Sequence, residues 1–175
     1  MANSQIKSSR SRLSKNSIAL AGEFLVLSRL SLKDYIATLT LGHTKSVDIL
    51  LTNQNTGKLF KLEVKTTTNG TTKTKHYGIN IEWQMDIKHE TIIDKNLFYC
   101  FVQLEKGMPD NPRFFIVPSE IVAKAVKKDD EYYFSYEHKR PVKHTDKRIF
   151  RIGINDESRG LPAAKYENRW SYFDE

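Results

Sequence analysis

In this 175-residue chain, Glu23, Asp48 and the triplet Glu63-Val64-Lys65 have the types and spacing needed for metal-assisted hydrolysis of a phosphodiester. Glu23 lies in a helix-like run over residues 17–32. Ala19 and Leu20 come one turn before it, Val26 and Leu27 one turn after, and Leu30 two turns after. Side chains three, four and seven positions apart share a helix face, so its carboxylate projects into an apolar surface. A charge placed there must find a partner or shift its pKa.

Asp48 and Glu63 belong to two alternating segments. Over residues 46–52, Val47, Ile49 and Leu51 face one way and Asp48, Leu50 and Thr52 the other; over 58–67, Phe60, Leu62 and Val64 oppose Lys61, Glu63 and Lys65. Between them Asn53-Gln54-Asn55-Thr56-Gly57 is a run of turn formers. A hairpin closing around Thr52 and Leu59 sets Asp48 opposite Glu63, with Cβ atoms about 5 Å apart. Two bare carboxylates at that distance repel, whereas a divalent cation between them turns repulsion into chelation.

Phosphodiester hydrolysis needs an activated water and neutralisation of the charge that builds in the transition state, and a divalent cation supplies both. Mg²⁺ or Mn²⁺ prefers hard oxygen ligands and Mg²⁺ keeps several waters, so Asp48, Glu63 and the Val64 carbonyl form a sufficient protein set. Lys65 is on the strand face of Glu63, where its ammonium can orient the water or stabilise the oxyanion. Glu23 would reach in from the helix to hold a metal-bound water, a second metal or Lys65.

The elements that must position these residues follow from pattern. Residues 1–16, rich in Ser, Lys, Arg and Asn without periodicity, are expected to be a flexible arm, and residues 17–175 a single domain. The apolar residues of the first helix surround most of its circumference, which predicts packing against a sheet and something else as well. A strand over 35–41 and the hairpin come next, then a polar loop with Lys73 and Lys75, and a segment over 81–89 read as a helix. Strands follow over 97–104 and 113–118, a helix over 119–128 with Ser119 as its cap, and a strand over 148–154. Trp83 and the C-terminal aromatics read as core. This order predicts an α/β or α+β domain with a central mixed sheet flanked by helices.

The formal charge is +7. Lys7, Arg10, Arg12 and Lys15 all precede the first acid, and a second basic run spans residues 139–148. Such clusters neutralise phosphates; Lys7, Arg10, Arg12, Lys73 and Lys75 are the candidate contacts to a nucleic-acid backbone. The single Cys100, inside an apolar run, predicts a buried thiol and suits a reducing cytoplasm. No apolar stretch approaches the ~18 residues of a membrane span, so no membrane association is expected. The five histidines have no cysteine at zinc-ligand spacing, and there is no glycine-rich phosphate loop or nucleophile elbow.

Through Gly22-Glu23, Val47-Asp48-Ile49 and Glu63-Val64-Lys65, over roughly residues 17–104, the chain resembles the PD-(D/E)xK nuclease superfamily, the restriction-endonuclease-like fold that includes archaeal-type Holliday-junction resolvases. Val47 stands where the motif has proline. The resemblance implies an αβββαβ core and a Mg²⁺- or Mn²⁺-dependent endonuclease acting on DNA. Asp48 and Glu63 would bind metal, Lys65 would assist catalysis and Glu23 would support the site. A homodimer would supply two active sites for cutting two strands. Two rivals use the same residues: a protein of this fold that binds nucleic acid without cutting it, and an interaction protein whose carboxylates are structural.

Overall fold

The computed structural model describes residues 13–40, 47–104 and 111–174. Ser14 opens the first helix, α1 (Lys15–Ser31), by accepting the Ser17 N–H at 3.0 Å on its hydroxyl. Then come β1 (Ile36–Leu39), β2 (Ile49–Thr52), β3 (Leu59–Thr67), β4 (Thr72–Thr74) and β5 (Gly78–Asp86), closed by a 3-10 turn (Ile87–Glu90). The second half carries β6 (Leu97–Gln103), β7 (Arg113–Pro118), α2 (Ser119–Tyr133), β8 (Lys147–Gly153), β9 (Leu161–Pro162), α3 (Ala163–Tyr166) and a 3-10 turn (Trp170–Phe173).

These elements form a mixed α/β fold with two sheets, ordered β1-β2-β3-β6-β7 and β4-β5-β8-β9. Pairing is antiparallel except between β3 and β6 and between β8 and β9. The β2–β3 hairpin pairs Thr52 with Leu59 and Ile49 with Leu62, the register expected from loop symmetry. Every residue of β6 is buried; a strand covered on both faces has no reason to alternate, which is why the run around Cys100 reads as continuously apolar.

Two cores lie on opposite faces of the larger sheet. On one, Val26 and Leu30 of α1 pack with Ile49, Leu51, Leu62, Val64 and Val102. On the other, Tyr99, Phe101 and Phe115 meet Val122 and Val126 of α2 and Ile81, Trp83 and Phe150 of the second sheet. Gly22 lets α1 approach β3 closely: a Cβ there would overlap Thr66 Oγ1 and stand 3.0 and 3.1 Å from Thr66 Cβ and Cγ2. Trp83, Trp170 and Phe173 are buried, as is Cys100, whose thiol pKa burial pushes up.

Three expectations change. Residues 81–86 are strand, not helix, because Ile81, Trp83 and Met85 point inward while Glu82, Gln84 and Asp86 do not, a period of two; only the 3-10 turn follows. The stretch between parallel β3 and β6 thus carries β4, β5 and that turn. Secondly, α1 is covered on one side only, with Leu20 48% and Phe24 53% exposed, because its Gly22, Val26 and Leu30 stripe alone meets the sheet. Thirdly, α2 runs on to Tyr133 and Ser119 does not cap it; the Ser119 hydroxyl instead donates to the Asp94 carbonyl at 2.8 Å and accepts the Asp94 N–H at 2.9 Å.

Candidate active site

The site grows from an irregularity where β2 begins. Leu62 is the ladder partner of Ile49, yet the Asp48 N–H also donates to the Leu62 carbonyl at 2.8 Å. Two successive residues of one strand therefore face one residue of the other, the arrangement of a β-bulge, which re-aims the side chain it carries. The Asp48 carbonyl accepts the Thr40 N–H at 2.9 Å. Its carboxylate turns to β3, where Oδ2 accepts the Val64 N–H at 2.7 Å. The N–H and C=O of one strand residue leave on the same side, so the Val64 carbonyl leaves β3 on the side of Asp48, just beyond the regular ladder.

One step back along β3, Glu63 points to the other face and is only 3% exposed. Its Oε1 lies 2.6 Å from Lys65 Nζ and 3.7 Å from His89 Nε2. Its Oε2 is buried and makes no hydrogen bond of ordinary geometry, although the Tyr99 hydroxyl lies close enough to interact with the Glu63 carboxylate. A buried carboxylate oxygen left unpaired carries the desolvation penalty of a charged group without compensation, and is the sort of atom a cation relieves. The Lys65 side chain is 28% exposed, so one side of its ammonium reaches solvent while the other holds Glu63.

Charge couples these groups. Burial raises the Asp48 pKa first; the Val64 hydrogen bond opposes this, negative Glu63 adds to it, and Lys65 and Lys88 pull it back. Glu23, half-buried on α1, is also raised, by burial and then by Asp48. Asp48 thus lies within electrostatic reach of Glu23 from the helix and of Glu63, Lys65 and Lys88 from the sheet and the 3-10 turn. No ion pair to Glu23 is present among the described residues. Its repulsion by a neighbouring acid instead of attraction to a base argues against a structural salt bridge as its role.

The fold therefore puts the Asp48 carboxylate on the Val64 N–H and Lys65 on Glu63, with Asp48 within electrostatic reach of both Glu63 and Glu23. Among the described residues no three His, Cys, Asp or Glu side chains converge closely enough to hold a metal by themselves. A cation here would have two carboxylates and a backbone carbonyl as protein ligands, with water for the rest, the set a hard divalent ion accepts. Lys73 lies on β4 and Lys75 just after it, both exposed in the second sheet. Lys7, Arg10 and Arg12 lie outside the described residues. Arg148, at the end of the second basic run, is buried and held by Glu90 and Asp130 at the base of β8, so it is not a phosphate contact.

The pattern of the chain did not reveal Lys88, His89 or Tyr99. His89 Nδ1 is 2.8 Å from Tyr99 OH, and Tyr99 pairs in register with Glu63 across β3 and β6. The available signal was the alternation through residues 81–86, which ends the strand just before His89 and turns it under the sheet.

No family model matches the chain, and no curated protein sequence does. In three dimensions the fold is similar to that of a bacterial homing endonuclease, I-Ssp6803I, with a TM-score of 0.52 at 14% sequence identity, covering 90% of this chain and 91% of that one. At that identity the likeness is one of fold. No helix among the described residues is long and apolar enough to cross a membrane.

Proposed function

We propose that this chain is a Mg²⁺- or Mn²⁺-dependent deoxyribonuclease of the PD-(D/E)xK type that cuts DNA internally. The observation that carries the reading is the electrostatic coupling of Asp48 to Glu63 at the end of the β2–β3 hairpin, with Glu63 Oε2 buried and making no hydrogen bond of ordinary geometry. The fold it shares with a homing endonuclease supports the same class.

Asp48, Glu63 Oε2 and the Val64 carbonyl would hold the cation. When bound, the cation would lower the pKa of a water and neutralise charge on the phosphate oxygens. Lys65 keeps Glu63 in place through Oε1 and presents its exposed side to the phosphate, where an ammonium stabilises the developing charge. Glu23, its pKa raised by burial and then by Asp48, would accept a proton from, or hold, a water beside Asp48. Lys88 and the basic segments before and after the site would neutralise backbone phosphates away from the scissile bond.

The test is a cleavage panel of linear, supercoiled, single-stranded and four-way DNA with Mg²⁺, Mn²⁺ or EDTA. The reading expects metal-dependent nicks or breaks that fall at least 100-fold in Asp48→Ala and in Lys65→Ala. DNA affinity retained in EDTA, with no products under any metal, would identify a binding protein that does not cut.

A further inference from the structure

A group of rings at the C-terminal end of α2 belongs to neither core. His76 stacks on Tyr136 with ring centres 3.9 Å apart and planes 5° from parallel, and His138 lies 4.4 Å from Tyr133 and 4.5 Å from Tyr136. The Tyr132 hydroxyl donates to the His76 carbonyl at 3.3 Å, and His138 Nε2 donates to the Tyr133 carbonyl at 2.7 Å. These bonds tie the turn between β4 and β5 to the end of α2. Each of these rings is only half-buried. Rings with one apolar face and one wet tip, held in place and left partly open, suit a contact surface.

Arg159 gives the cluster its charge. Its backbone N–H donates to the Tyr77 carbonyl at 3.1 Å, and its guanidinium lies 3.5 Å over the Tyr132 ring. Arg159 is exposed, and although Asp156 and Glu157 precede it on the same loop, it forms no ion pair among the described residues. Stacking fixes the plane of the guanidinium and leaves its N–H edge for a phosphate. Lys75, beside His76, is exposed as well.

A basic band links this cluster to the candidate site. β5 runs nine residues from Gly78, next to the rings, to Asp86, two residues before Lys88, a distance of about 26 Å at ~3.3 Å per residue. The chain after α2 returns over the same distance. Exposed Lys139, Arg140 and Lys143 lead from the rings to Lys147, the ladder partner of Asp86, and the Ile87 N–H donates to the Asp146 carbonyl at 2.7 Å. Only Glu137 and Asp146 oppose these cations along the segment. Cations for a backbone, ending in open rings for bases, are the two parts of a single-strand site. A duplex keeps its bases stacked inside and has no use for the rings.

We propose that Arg159 and the rings around Tyr136 form a second DNA subsite, which takes an unpaired strand leading away from the scissile phosphate, so that the preferred substrate carries a single-stranded segment beside a duplex. The inference rests on the reading of the chain as a nuclease that acts on DNA. Arg159 holds a phosphate, the rings of Tyr132 and Tyr136 stack on bases, and the band from Lys139 to Lys147 neutralises the backbone between the two sites.

The experiment uses the full chain in EDTA, so that binding is read without cleavage. Fluorescence anisotropy compares a blunt duplex with the same duplex carrying a tail of about 15 thymidines, within the size range of single-strand sites. Wild type should bind the tailed duplex about 10-fold more tightly, and Tyr136→Ala and Arg159→Gln should each cut that preference about 5-fold or more, the loss expected for one stacked base. If Tyr136→Ala does not fold, Arg159→Gln decides together with a photo-crosslink, in which iodouracil in the tail should attach to residues 132–138. Equal wild-type affinity for the two DNAs, a preference unchanged in Arg159→Gln, or crosslinks confined to other segments overturns the subsite and leaves the nuclease reading to the cleavage panel. A tail preference lost in Arg159→Gln, in a chain that yields no products under any metal, keeps the subsite and overturns the nuclease.

Discussion

Gly22→Ala should both destabilise the chain and impair its site. Replacing glycine by alanine inside α1 would by itself favour the helix by about 1 kcal/mol. The new Cβ, however, overlaps Thr66 Oγ1 and meets Thr66 Cβ and Cγ2 at 3.0 and 3.1 Å, and the obstacle belongs to β3, in the middle of the larger sheet. Overpacking costs about 1–3 kcal/mol, and an outright overlap falls in the upper part of that range, about 2–3 kcal/mol, so a net loss of about 1–2 kcal/mol remains after the gain in helix propensity. For a chain of this length that lowers Tm by about 2–8 °C. Glu23 is the next residue, so pushing α1 outward also draws its carboxyl away from Asp48, and cleavage falls with stability. Thr66→Ala removes both Oγ1 and Cγ2, and the Oγ1 it deletes is buried without a partner. The double variant should therefore regain at least about 0.5–1 kcal/mol relative to the sum of the singles. Thermal melting of the four chains by circular dichroism makes the measurement. A Gly22→Ala chain that melts at or above wild type, or strictly additive singles, refutes close helix–sheet contact as the reason for glycine here.

Other outcomes follow from the charges. Asp48 is raised above its ordinary 3.8, so the folded chain binds its proton more tightly than the unfolded one; its contribution to stability is present at low pH and lost as pH rises through the raised value. Asp48→Asn in metal-free buffer should therefore melt above wild type at neutral pH, with the difference vanishing in acid, as a pH series of melts would record. Lys88→Ala should leave Tm within error, since the residue is exposed, while reducing DNA affinity and the slope of log affinity against log salt by about one charge, read by fluorescence anisotropy. Arg151 holds both Glu82 and Asp129 and stacks 3.7 Å over Tyr77. Arg151→Ala leaves a half-buried Asp129 without its guanidinium and should cost about 2–3 kcal/mol in denaturant melts, below the ~3–5 kcal/mol of a fully buried pair.

What could be read from the chain depended on whether a residue's role was local. The register of the hairpin, Thr52 with Leu59 to Ile49 with Leu62, followed from alternation and a loop of turn formers, but the directly opposed pair expected of Asp48 and Glu63 did not form, because Asp48 faces Leu62. The bulge that causes this, two residues of β2 against one of β3, leaves no mark in an alternating pattern. Glu23 was legible as a misplaced charge that would reach in from the helix, and the close approach of Gly22 to Thr66 of β3 is what lets α1 carry it within electrostatic reach of Asp48. His89 and Tyr99 were hidden for a different reason. A histidine after a strand and a tyrosine in a buried run carry no mutual signal until parallel pairing of β3 with β6 puts Tyr99 beside Glu63. Reading 81–89 as a helix removed the one pattern that would have placed the turn.

The central claim, a cation held between Asp48 and Val64 on one side and Glu63 on the other, can be tested in place. Fe²⁺ substituted for Mg²⁺, with ascorbate and peroxide, generates hydroxyl radicals that cut the polypeptide next to the ion, and mass spectrometry locates the cuts. The expected breaks cluster at residues 47–49 and 63–65, are suppressed by excess Mg²⁺ and disappear in Glu63→Gln. Breaks confined to other segments, or the same pattern in Glu63→Gln, would contradict it.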